Sequence, residues 1–156
     1  MKLNISLTTV VALLLALPIS AAAMAEPQEA ACSLARAAGA YGVSDSGTVI
    51  GVGPRAALAR LKLDAAGNIN GSVTASLNGS VSSATLSGTY TVNRDCTGTS
   101  SFGEYDQSGN LLLTATVDFV WDDNMNEVRL IFTSVVLPDG TSLPIAINGS
   151  ARKLAP

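Results

Sequence analysis

Apolar residues return at every second position along most of this chain. Ile69, Gly71, Val73, Ala75 and Leu77 alternate with Asn70, Ser72, Thr74, Ser76 and Asn78, the period of a strand with one buried face. The same rule sets Ala57, Ala59, Leu61 and Leu63 against Leu58, Arg60, Lys62 and Asp64, and Leu86, Gly88, Tyr90 and Val92 against Ser87, Thr89 and Thr91. The most apolar strand is Leu111 to Trp121. There Leu111, Leu113, Ala115, Val117, Phe119 and Trp121 share one face, and Leu112, Thr114, Thr116, Asp118 and Val120 the other. Val128, Leu130, Phe132, Ser134 and Val136 make a further face, and Ile145 to Lys153 a last strand. A Thr/Ser/Gly-rich strand runs from Cys96 to Phe102, while Tyr41 to Ser44 and Thr48 to Ile50 read as short extended pieces around Asp45-Ser46-Gly47.

Turn chemistry separates these runs. Gly51-Val52-Gly53-Pro54 is a bend no helix crosses, and Asn78-Gly79 is a strong hairpin signal. Ala65 to Asn68, Asn93-Arg94-Asp95, Asp106 to Asn110, Asp122 to Asn126 and Leu137-Pro138-Asp139-Gly140 supply the remaining turns. The chain therefore reads as all-β, about eight antiparallel strands in a meander, with no helix long enough for a crossover. Closure into an up-and-down barrel removes exposed edges. At this strand number the interior takes packed side chains or one small ligand. A two-sheet β-sandwich satisfies the same strand count and is the alternative.

The first 25 residues depart from this pattern. Lys2, an apolar run from Ile5 to Leu17, Pro18 and the small residues Ser20 to Ala25 have the layout of a secretory signal peptide over 1–25, cut after Ala25. The run is too short to span a bilayer, and no transmembrane segment follows in the mature chain. Residues 26–40 form an N-terminal segment with a short Ala-rich helix from Glu29 to Ala38, which would cover one end of the sheet. Residues 41–156 form a single β domain. Export, periplasmic or extracellular, delivers the only cysteines, Cys32 and Cys96, to an oxidising compartment, where they are expected to pair.

Tyr41-Gly42-Val43-Ser44, Gly51-Val52-Gly53-Pro54, Asp64-Ala65-Ala66-Gly67-Asn68 and the block from Gly88 to Thr99 (Gly-Thr-Tyr-Thr-Val-Asn-Arg-Asp-Cys-Thr-Gly-Thr) stand in a fixed order. In this they resemble a group of small exported bacterial proteins of no established activity. The resemblance implies export and an all-β domain. It carries over no catalytic or binding residue.

Charge and composition remove whole classes of function. Loss of Lys2 with the leader takes the net charge from −3 to −4, and Lys and Arg are scattered. No basic stripe exists for nucleic acid or for an acidic membrane surface. The chain has no histidine, which removes imidazole bases, Ser-His-Asp and Cys-His nucleophiles and histidine metal sites. The acidic stretch Asp122 to Glu127 lacks calcium-loop spacing, with Glu127 and Thr133 where such a loop has Gly and Glu. Neither a metal nor a cofactor is expected.

What remains is carboxylates and aromatic rings. Asp118, Glu104 beside Tyr105, and Arg94 beside Asp95 read as surface or rim charges. Tyr90, Phe102, Phe119, Trp121 and Phe132 lie on apolar faces, where they fill a core or line a lipophilic ligand pocket. Small residues at Gly71, Ala75, Gly88 and Ala115 on the inward faces are expected to leave room. The leading function is an exported barrel that binds a small apolar ligand. The alternatives are an envelope or extracellular structural or interaction protein without a cavity, and a histidine-free barrel cyclase or isomerase; an enzyme is the lesser expectation. Export with two cysteines predicts that intact protein gains about two mass units on reduction. Two alkylatable thiols in unreduced native protein would contradict it.

Overall fold

The computed structural model describes residues 32–122 and 124–155. The expected leader over 1–25, and the start of the expected helix at 29–31, lie outside the described residues. One helical turn, α1 (Leu34–Ala37), precedes eight strands: β1 (Gly39–Val49), β2 (Gly53–Leu63), β3 (Asn68–Leu77), β4 (Ser80–Tyr90), β5 (Thr97–Tyr105), β6 (Leu111–Trp121), β7 (Glu127–Val136) and β8 (Ile145–Lys153). Each strand pairs antiparallel with the next, and β8 returns to β1, closing the barrel. The meander and the closure are as expected, and the sandwich is excluded.

Local differences have physical causes. Asp45-Ser46-Gly47 does not turn the chain, because β1 is bonded on both sides across it, to β2 at Asp45↔Ala57 and to β8 at Asp45↔Gly149. Two ladders outweigh the turn preference of three residues. β5 runs past Phe102 to Tyr105. In the β6–β7 ladder Thr116 faces Ser134 but Val117 faces Phe132, leaving Thr133 as an extra residue. A bulge of this kind reverses the inward and outward alternation beyond it. Val135, and not Val136, is therefore buried, at 6 % exposure. The helix is shorter than expected: Ser33 caps it by accepting a hydrogen bond at Oγ from the Arg36 N–H, and Ala38 already has extended backbone leading into β1.

The Asp-x-x-Gly-Asn sequences are one device used twice. Asp64 accepts hydrogen bonds from the backbone N–H groups of Ala66 and Asn68 and from the Asn68 side chain, at 2.8–2.9 Å. Asp106 does the same with Ser108 and Asn110. These bonds hold both carboxyls below the ordinary carboxylate range. Gly67 and Gly109 sit at positive φ in the two turns.

Inside and outside are chemically distinct. Tyr41, Val43, Leu63, Ile69, Val73, Leu86, Tyr90, Trp121 and Val128 are buried in the interior, whereas Ser44, Lys62, Thr74, Ser87, Thr99, Asp118 and Arg129 are exposed. The outer face also carries exposed apolar residues such as Leu58, Val81, Val120 and Ile131, but the interior is apolar where that of a membrane-spanning barrel is polar. At the end where β1 begins, α1 lies across the lumen with Ala37 fully buried. The Tyr41 hydroxyl donates to Ala37 O at 2.8 Å, Lys153 Nζ to Arg36 O at 2.8 Å, and the Cys32–Cys96 disulfide ties the segment down.

Two of the small inward residues do not serve as space. A Cβ at Gly71 would collide with Arg60 O of β2, and one at Gly88 with Ser101 O of β5. Glycine stands there because the sheet bends sharply enough for the neighbouring backbone to take that volume. The expectation that Gly71 and Gly88 leave room for a ligand is corrected accordingly. Gly88→Ala should then destabilise the fold by about 1–3 kcal/mol in urea unfolding, as overpacking does. Ser87→Ala, on the wet face one residue away, should change it by under about 0.5 kcal/mol.

Candidate functional site in the barrel lumen

The plugged end of the lumen has an aromatic floor. Tyr41 and Trp121 meet edge to face with ring centroids 5.4 Å apart, and Phe119 meets Trp121 in the same way at 6.0 Å. Tyr90 completes it, donating its hydroxyl to Asp64 O at 2.6 Å. Burial raises both tyrosine hydroxyls, that of Tyr90 to about 12, so both stay protonated donors. Higher up, Phe102 and Phe132 stack edge to face at 6.4 Å. Trp121 is buried, and among the described residues its Nε1–H has no acceptor.

At the other end the interior becomes ionic. β1 and β5 lie four strands apart in either direction around the ring, so Asp45 and Glu104 face each other across the lumen. Arg55, from β2, spans the gap. Its Nη1 donates to Asp45 Oδ1, while its Nη2 lies 3.8 Å from Glu104 Oε1. The Arg55 guanidinium also sits 5.4 Å from the Phe132 ring centroid, within cation–π range. All three charged side chains are at most 10 % exposed. Desolvation pushes the Glu104 carboxyl above its ordinary value, with Arg55 partly opposing; desolvation lowers Arg55, with Glu104 opposing.

Between floor and crossbar lies a cavity of about 80 Å³. That is about half the volume of an apolar cavity of roughly 150 Å³ that holds benzene, and room for roughly three waters at their liquid volume. Tyr90, Phe102, Phe119, Trp121 and Phe132 all line it, together with Tyr41, Asp45, Ser100, Glu104 and aliphatic side chains such as Val73, Leu86 and Leu130. The five aromatic residues picked out by the alternation thus converge on one space. The rim assignment of Glu104 is overturned, because β5 continues with Glu104 on the same inward parity as Ser100 and Phe102. Asp118 is exposed on the outer face, and Arg94 and Asp95 are exposed in the β4–β5 turn. Asp45 and Arg55 were missed. Their signal was parity: Asp45 follows Tyr41 and Val43 at intervals of two, and Arg55 precedes Ala57 and Ala59.

No protein-family model matches the chain, and no curated protein matches it in sequence. Among solved structures, a redesigned β-barrel, mFAP1, bound to DFHBI is similar over 78 % of this chain and 98 % of its own, with a TM-score of 0.52 and 10 % identity. An S-type phycobiliprotein lyase from Guillardia theta aligns over 79 % of this chain and 91 % of its own, with a TM-score of 0.46 and 10 % identity. The first likeness is one of fold alone.

The buried carboxyl sets a sign for pH dependence. Because the native state holds the Glu104 proton where the unfolded chain has released it, this group's stabilisation is full below its ordinary value of 4.5 and is lost as pH rises through the raised value. Glu104→Gln should remove that component. In urea unfolding across this range, the stability difference between wild type and variant should move against the wild type as pH rises. A constant difference would mean that Glu104 titrates normally. Comparing the two proteins cancels the opposite slope of the turn carboxylates Asp64 and Asp106.

Proposed function

We propose that this protein is an exported binding module whose closed barrel holds one small, mainly apolar molecule in its lumen. The observation that carries the reading is the cavity itself: about 80 Å³ of space walled by aliphatic and aromatic side chains. Interiors pack closely, and a space of this size inside a core forfeits dispersion contacts that an occupant would restore. A structural barrel without a ligand gains nothing from keeping it. The architecture supports the reading as precedent, since the redesigned barrel of similar fold is bound to DFHBI. Export is supported by the disulfide and by the layout of residues 1–25.

The volume sets an upper limit of about one ring, and a ring needs the lining side chains to move outward, since a cavity that holds benzene is about 150 Å³. Toluene, titrated into the oxidised protein, should quench or shift the emission of Trp121, the single tryptophan, saturably and with roughly one-to-one stoichiometry, and raise Tm. Ala59→Leu, which adds carbon atoms to the cavity wall, should weaken that binding while the protein stays folded. No saturable uptake and no thermal shift for any one-ring hydrocarbon would favour the structural or interaction role instead.

A further inference from the structure

The lumen carries information about one end of its occupant. Two charged side chains line the cavity, Asp45 and Glu104, and both are acidic; the guanidinium that pairs with them is not part of the cavity wall. Asp45 is engaged by direct hydrogen bonding to Arg55. Glu104 is held less closely: at 3.8 Å its contact with Arg55 is an ion pair too long for a hydrogen bond. At 8 % exposure and without a hydrogen bond to Arg55, this carboxyl keeps acceptor capacity on a cavity it lines.

We infer that the ligand carries a protonated amine, or an equivalent small cation, that docks on Glu104 with its apolar ring toward Phe119 and Trp121. This rests on the lumen-binding reading above. With Glu104 ionised, one guanidinium against two carboxylates leaves a local deficit of one positive charge, which a cationic head supplies. If Glu104 enters the complex ionised, the ammonium neutralises it and donates the missing hydrogen bonds. If Glu104 holds its proton in the empty protein, release of that proton on binding leads to the same ion pair. An anionic head meets two carboxylates and would have to displace Asp45 from Arg55 to find a cation. The charge pattern therefore selects against fatty acids and other carboxylates while the same apolar walls accept their tails.

Three ligands of one size and different heads test this at neutral pH: 2-phenylethylamine, 2-phenylethanol and phenylacetate, titrated by calorimetry into the oxidised protein. The amine should bind about tenfold more tightly than the alcohol, as a charge-assisted hydrogen bond in a buried site provides, and phenylacetate most weakly. Glu104→Gln should bring the amine-to-alcohol affinity ratio to about one. The wild-type order decides the matter even if that variant folds poorly. Equal affinities for amine and alcohol, or tighter binding of phenylacetate, would overturn the cationic head while leaving lumen binding in place. Failure of all three and of toluene would overturn both.

Discussion

Closing eight strands into one ring forces every second residue of every strand into a single shared interior, and the other features of this protein follow from that constraint. A closed barrel has no edge to defend, so its outer face is free to be Ser, Thr and scattered charge. Its two ends, however, cannot be covered by the sheet and need separate solutions. At one end α1, Tyr41 and Tyr90 tie main chain to side chain across the opening. A helix of four residues has no stability of its own. The disulfide, closing a separation of 64 residues, contributes roughly 4 kcal/mol in the chain-entropy picture and holds that turn in place.

The other end is held by charge. A buried ion triad is seldom the most stabilising choice, because the desolvation cost of each group offsets most of the attraction, and an apolar set of equal volume would serve stability as well. Asp45, Arg55 and Glu104 nevertheless meet in the interior, beside Phe132 and the buried Ala57 that pairs with Asp45 across the β1–β2 ladder. The unequal pairing is informative in this setting. A triad selected for stability alone would satisfy both carboxylates, whereas here one is bonded tightly and the other is left facing the cavity.

Much of this was legible in the residues, and the illegible parts share a cause. Strand number, meander order and the convergence of Phe102, Phe119, Trp121 and Phe132 come from a period of two, which is local information, and the disulfide comes from a count of two cysteines. The ion crossbar is not local: Asp45, Arg55 and Glu104 come from β1, β2 and β5, and only closure brings β1 opposite β5. Asp45 was hidden further by Ser46 and Gly47, whose turn preference is overridden by two ladders. The shift of burial from Val136 to Val135 depends on a bulge at Thr133, which no residue there announces. Gly71 and Gly88 were read as empty space because a sequence gives the size of a side chain and not the approach of a neighbouring strand.

The two ends also differ in how they open. Uncovering the floor means displacing a segment bonded covalently to the sheet through Cys96 and packed against Tyr41, Tyr90 and Met125, among the most deeply buried side chains of the barrel. Parting the crossbar breaks no covalent bond: it separates the Arg55 guanidinium from Asp45 and Glu104. Local openings draw on the least costly contacts available. In the lumen-binding reading, an occupant entering at this end has to pass the crossbar, so Arg55 and its two carboxylates stand between that end and the cavity.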